Sequence, residues 1–220
     1  MWFDNRAIQQ QLWPATLETL YTTFWATLFT VIFGLLVGVA AVLTSPGGLA
    51  PSAWLHRVLG VIINVGRSIP YIILAFLLMN VTRFVVGSYI GWKAAVFTLT
   101  IAAIPFFARL VETSLRDVHV GKLDAAHAMG STKLQSITKV LIPESLPALV
   151  ASFTTTVVTL IGYSAMAGLI GGGGLGRLAY NYGFQRYQTD VMIMTVVLLV
   201  LLVQVIQWVG DAVSKAIDHR

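Results

Sequence analysis

An all-α membrane protein with five transmembrane helices is the fold class this amino-acid sequence predicts, and three observations predict it. Of 220 residues, 57% are hydrophobic and 10% charged, against about 25% charged in a soluble domain. The apolar residues gather in five runs, each near the roughly 20 residues a helix needs to cross a bilayer. Polar or glycine- and proline-bearing stretches separate those runs. We read the chain as a single transmembrane domain over 1–220.

The first helix is expected over about 17–43, uncharged after Glu18 and ended by "SPGG" at 45–48. The second spans about 58–80 and contains "GRSIP" at 66–70. The third covers about 90–113, with Lys93 and Arg109 near its ends. A polar segment, about 114–143, comes next. The fourth helix starts near Ser145 and runs to about 170, where "GGGGLG" (171–176) reads as a bend allowing close backbone packing. The fifth spans 191–210, bounded by Asp190 and Asp211. Five crossings put the termini on opposite sides.

Basic residues set which side is which. With the 114–143 segment cytoplasmic, that side holds Arg57, Arg109, Arg116, Lys122, Lys133, Lys139, Lys215 and Arg220. The other holds the smaller set, Arg6, Arg83, Lys93, Arg177 and Arg186. The N-terminus is therefore expected outside and the C-terminus in the cytoplasm. The formal charge of +5 and pI of 9.7 suit loops that meet anionic lipid rather than nucleic acid. There is no cysteine, hence no disulfide or thiolate chemistry. The N-terminal "MWFDNRAIQQQLWP" lacks the form of a cleavable signal, since the apolar run after it is too long.

The polar segment carries "DAAHAMGSTKLQSITKVLIP" (124–143). "DAAHAM" is a helix former of small residues, and Gly130 suits a left-handed C-cap. Ala125, Ala126 and Ala128 let another backbone come close. Thr132 and Gln135 have capping-box spacing for a second helix. Leu134, Ile137 and Leu141 form one apolar stripe on it. Pro143 lacks an amide proton, disfavours helix at Ile142 and is expected to stop the helix there. The shape is helix, glycine corner, helix. It reads either as a hairpin lying in the headgroups or as a knob made to fit a partner's groove.

These residues resemble the cytoplasmic signature of ATP-binding-cassette importer permeases: E-A-A, three residues, Gly, nine residues, I-x-L-P. Here stand Asp124, Ala125 and Ala126, then Gly130, then Val140, Leu141, Ile142 and Pro143. The spacing agrees throughout; the departures are Asp for Glu, Val for Ile and Ile for Leu. "NVGRSIPYIIL", "IPFFARLVETSL", "GYSAMAGLIGGGGLG" and "YNYGF" are further similar to methionine-importer permeases. The resemblance implies a type I importer permease fold in a bacterial inner membrane. It also implies a homodimer with two ATPase subunits on the cytoplasmic side and a substrate-binding protein outside. Asp124, Ala125, Ala126, Gly130, Val140, Ile142 and Pro143 would then seat in the ATPase. ATP and magnesium would bind that partner, with no cofactor on this chain.

The rest of the sequence is consistent with that assignment. Gly171, Gly173 and Gly176 match G-x-G-x-x-G, but an apolar helix precedes them and no βαβ unit surrounds them. A P-loop would need Lys and Ser or Thr where Arg177 and Leu178 stand. Arg67 at a helix centre costs about 2.5–3.5 kcal/mol on insertion scales, so it either snorkels inward or faces a translocation path. Pro70 would loosen the helix beside it. Arg109 and Glu112, three apart, are expected to pair, and the charge of Glu144 suits the start of the fourth helix. Thr154, Thr155, Thr156 and Thr159 either line a polar path or bond their own helix. In "GYSAMAG", Tyr163, Ser164 and Met166 form a candidate path or gate, with Met166 alternatively a filler. Tyr180, Tyr182, Phe184 and Tyr187 suit an aromatic belt or a docking surface. His56, His119, His127 and His219 lack metal-ligand spacing. A channel or secondary transporter would want paired intramembrane acids, and an embedded enzyme would want a nucleophile–base or metal constellation. Neither pattern is present, and a permease for another amino acid or small solute is the nearer alternative.

Overall fold

A computed structural model describes residues 5–218. His219 and Arg220, considered above for metal spacing and charge, lie outside the described residues, as do residues 1–4. Helix α1 (Arg6–Leu43) starts well before the expected Leu17, because Asn5 caps it: Asn5 Oδ1 accepts from Ala7 N at 2.8 Å. The glutamines after it are good helix formers. Hydropathy marks where the bilayer begins, not where the helix does. Thr44 N bonds Ala40 O and Ser45 Oγ bonds Val42 O, closing α1 into the "SPGG" turn.

The second helix is not continuous. α2 (Ala53–Ser68) ends at an extended Ile69, and α3 (Tyr71–Leu77) restarts from Pro70, bent by 106°. A short α4 (Met79–Val86) comes next and ends at Gly87. The cause is Pro70: it has no N–H to give and excludes helical backbone from the preceding residue. Arg67 is therefore not at a helix centre. It lies in the last turn of α2, exposed, where a cation suits the carbonyl end of the helix dipole.

Helix α5 (Trp92–Arg116) is the central element, with most of its apolar residues buried. Its most extensive partner is α1. Gly34 and Gly38 of α1 make that approach possible: a Cβ on Gly38 would lie 2.7 Å from Ala108 O and from Val111 Cβ. Small residues four apart let two backbones pack where no hydrophobic drive exists between lipid and protein. α2 crosses α5 at Pro105, 2.5 Å from where a Gly66 Cβ would stand.

After α6 (Val120–Ala128) and α7 (Lys133–Ser136), the chain makes a wide π-helical turn at Ile137–Leu141 and continues as α8 (Ile142–Leu169). Pro143 therefore does not stop the helix. Ile142 N bonds back five residues to Ile137 O. The widened turn makes room for a ring that would otherwise meet the carbonyl four residues back. Lys133–Leu169 is in consequence one span of 37 residues. Past it come the glycine bend, α9 (Gly174–Leu178), a second wide turn at Ala179–Phe184, and α10 (Thr189–Ile217). α10 outlasts the expected 191–210 because the polar residues Asp211, Ser214 and Lys215 end the apolar run without ending the helix. By length and composition the described residues hold four spans, or five counting the bent α2–α3 pair as one.

Candidate coupling site

The segment 120–143 builds a rigid projection from local bonds. Gly130 has φ +80°, a left-handed corner that costs glycine nothing. Met129 N bonds Ala125 O and Ser131 N bonds Ala126 O, both at 3.1 Å, finishing α6. The capping box is complete: Gln135 N donates to Thr132 Oγ1 at 3.3 Å, and Thr132 N donates to Gln135 Oε1 at 2.9 Å. Ser131 and Ser136 hydroxyls bond at 2.8 Å, Ser136 being fully buried, which closes the angle between the two helices.

Two large apolar side chains stand out on this projection among exposed polar ones such as Lys133, Gln135 and Lys139. Met129 is 84% and Leu134 69% exposed. Asp124, Ala125 and Gly130 are exposed beside them, while Ala126 is buried and packs inward. The expected stripe of Leu134, Ile137 and Leu141 is split. Leu141 is buried with Phe107, Val111, Leu115 and Val118, whereas Leu134 points away. The extra residue in the wide turn rotates the helix beyond it, so positions seven apart no longer share a face. Val140 and Ile142 are half-buried and Pro143 is exposed.

Two charge clusters root the projection. Glu112 is buried on α5 and takes Arg109 Nη1 on Oε2 and Arg116 Nη2 on Oε1, both at 2.9 Å. Three-residue spacing predicts Arg109; Arg116, four residues on, is a partner that the sequence reading misses although the same rule reaches it. Glu144, in the first turn of α8, pairs with Lys122 of α6.

At the far end of α8 the candidate path residues stand apart. Tyr163 stacks on Tyr71 of α3, ring centroids 5.2 Å apart. Ser164 is buried and gives its hydroxyl to Ile161 O at 2.7 Å, while Met166 is 44% exposed. Arg67 sits across the break from Tyr71. Thr154, Thr155, Thr156 and Thr159 each bond the carbonyl four residues earlier, the self-bonding reading of the two. Tyr71 Oη meets Thr98 Oγ1 at 3.1 Å, a polar contact between α3 and α5 that the sequence does not signal.

The glycine run does bend, with positive φ at Gly171, Gly173 and Gly174. α1 clamps it: Glu18 Oε2 accepts from Gly174 N, and Thr19 Oγ1 from Leu175 N, each at 2.8 Å. Gly91 N, before α5, bonds Gly171 O at 2.9 Å. Any side chain on Gly173 would collide with the Glu18 carboxylate. Of the aromatic group, Tyr180 stacks on Phe184, Arg186 lies over Tyr182, and Tyr187 is exposed.

The same architecture occurs in known proteins. A family model described as binding-protein-dependent transport system inner membrane component matches residues 31–220. A Vibrio cholerae protein named probable D-methionine transport system permease is 48% identical, over 95% of this chain and 93% of that protein. The Bacillus subtilis methionine import system permease protein is 44% identical, over 96% and 95%. A solved structure of a methionine ABC transporter in an inward-facing conformation superposes with a TM-score of 0.96, at 43% identity, covering 98% of this chain and all of that one.

Proposed function

The chain belongs to the family of binding-protein-dependent transport system inner membrane components, and from that premise we propose that it is the membrane-spanning permease subunit of an ATP-driven methionine importer in a bacterial inner membrane. It is not itself the ATPase. It works as a homodimer, with two ATPase subunits below that bind ATP and magnesium and a substrate-binding protein above. Lipid surrounds it, the N-terminus lies outside and the C-terminus in the cytoplasm.

The observation that carries the mechanism is the unbroken span from Lys133 to Leu169, about 55 Å at 1.5 Å per residue. Its cytoplasmic end, up to Val140, Ile142 and Pro143, forms the projection together with the preceding helix and corner that hold Asp124, Ala125, Ala126 and Gly130. Met129 and Leu134 seat in the ATPase. When ATP draws the two ATPases together, the projection moves and α8 carries that displacement to Tyr163 and Met166 without an intervening hinge. Tyr163 passes it to α3 through Tyr71. Arg67, Tyr163 and Met166 line or gate the path, and Ser164 holds the backbone there. ATP biases the outward and inward states only through contacts that differ between them.

Proteoliposomes holding this chain, its ATPase and the binding protein should accumulate labelled methionine only with ATP inside, at rates other amino acids do not match. Uptake of methionine without ATP, or equal uptake of unrelated amino acids, would overturn the assignment.

A further inference from the structure

An exposed trough of about 520 Å³ runs between α1 and α5 on the outer surface of the helix bundle. One wall is an aromatic ladder at four-residue spacing on α1: Tyr21, Trp25, Phe29 and Phe33. Twelve residues of helix make it about 18 Å long, close to one leaflet, half of a hydrocarbon core about 30 Å thick. The other wall is Phe97, Ile101 and Ile104 of α5.

The two ends of the trough differ in chemistry. Tyr21 meets Trp92 edge-on at 4.7 Å at one end, the amphipathic rings that belong at headgroup level. Lys93 stands at this end, exposed, its ammonium 5.6 Å from the Trp92 ring. Among the described residues no carboxylate pairs with it. Among the described residues it is the one charged residue lining the trough. The larger hollow between α1, α8 and α10, about 690 Å³, has no charged lining residue among the described residues and nothing to say what covers it.

We propose that this trough is a binding site for an anionic phospholipid of the surrounding membrane, one acyl chain lying along the aromatic ladder and the headgroup phosphate on the Lys93 ammonium. A single unpaired cation at headgroup height recognises negative charge. An apolar trough of one-leaflet length takes a chain and excludes a polar peptide. The site occupies the α1–α5 pair, the packing on which the core is built, so a bound lipid braces that pair from outside.

The test uses the full chain with its ATPase subunit, with Trp2, Trp13, Trp54 and Trp208 and every tryptophan of the ATPase subunit replaced by Phe so that Trp25 and Trp92 report alone. Vesicles of phosphatidylcholine receive increasing fractions of chain-brominated phosphatidylglycerol or brominated phosphatidylcholine, and fluorescence quenching gives relative affinities. One cation near the surface is worth about 1 kcal/mol, so phosphatidylglycerol should bind about fivefold more tightly. Lys93→Gln should reduce that ratio to near one while quenching by phosphatidylcholine persists. Equal affinities in the parent, or a preference untouched by Lys93→Gln, would overturn the proposal. So would an absence of quenching, the result expected if a second copy of the chain covers the trough. Native mass spectrometry of lipid carried by the parent and by Lys93→Gln gives the same comparison without the tryptophan replacements.

Discussion

Glu112 shows how much one buried charge matters and how far it can be read from sequence. Its carboxylate is buried, while its partners Arg109 and Arg116 keep 45% and 46% of their side chains exposed. The two kinds of deletion are therefore unequal. Glu112→Ala leaves two guanidiniums that water can solvate and should cost about 1 kcal/mol. Replacing Arg109 and Arg116 together by Ala strands a buried carboxylate and should cost about 3 kcal/mol. Thermal unfolding of the detergent-solubilised protein should thus rank the double arginine variant below Glu112→Ala; the reverse order would show that the carboxylate is solvated after all. The Arg109–Glu112 pair was legible because residues three apart on a helix are neighbours. Glu18 and Gly174 are 156 residues apart, and no local rule brings them together.

Elements were legible where their signals are local, and misread where two local rules compete. The capping box of Thr132 and Gln135 and the left-handed Gly130 both stand as their residue types require. Pro70 and Pro143 carry the same covalent restriction, yet one breaks its helix and the other does not. At Pro143 a wide turn before it absorbs the ring, and packing of Leu141 in the core holds that turn in place. At Pro70 the chain instead swings through 106°. The corner at Gly130 has open space where a side chain would go, so backbone conformation alone decides what it tolerates. Gly130→Val should leave membrane insertion intact but weaken ATPase retention and transport several-fold, while Gly130→Asn, which accepts a left-handed backbone, should keep most of both. Pull-down of the ATPase subunit by the two variants checks this, and equal retention by Val and Asn would refute it.

At the scale of the molecule, composition and run lengths were enough for an all-α membrane fold. What they could not give is which helix is central. The burial of α5 comes from glycine contacts across α1, a proline contact across α2 and packing against Leu160 of α8, and such pairings leave no periodic trace. Nor could they show that the second helix of the projection and α8 are one span, since that depends on the wide turn. The proposed mechanism rests on this continuity: force applied at Leu134 reaches Tyr163 along a single span, and force applied at Met129 enters that span across the Gly130 corner, which the Ser131–Ser136 bond holds. Met129 and Leu134 are largely exposed, so Met129→Asp with Leu134→Asp should leave the homodimer and its spans intact. The most direct measurement is ATP-driven methionine uptake by this double variant in proteoliposomes with the ATPase and binding protein, set beside ATPase retention. Uptake and ATPase retention should both fall by at least about tenfold, the equivalent of about 1.4 kcal/mol of lost docking; uptake at the parent's rate would contradict the coupling role of the projection.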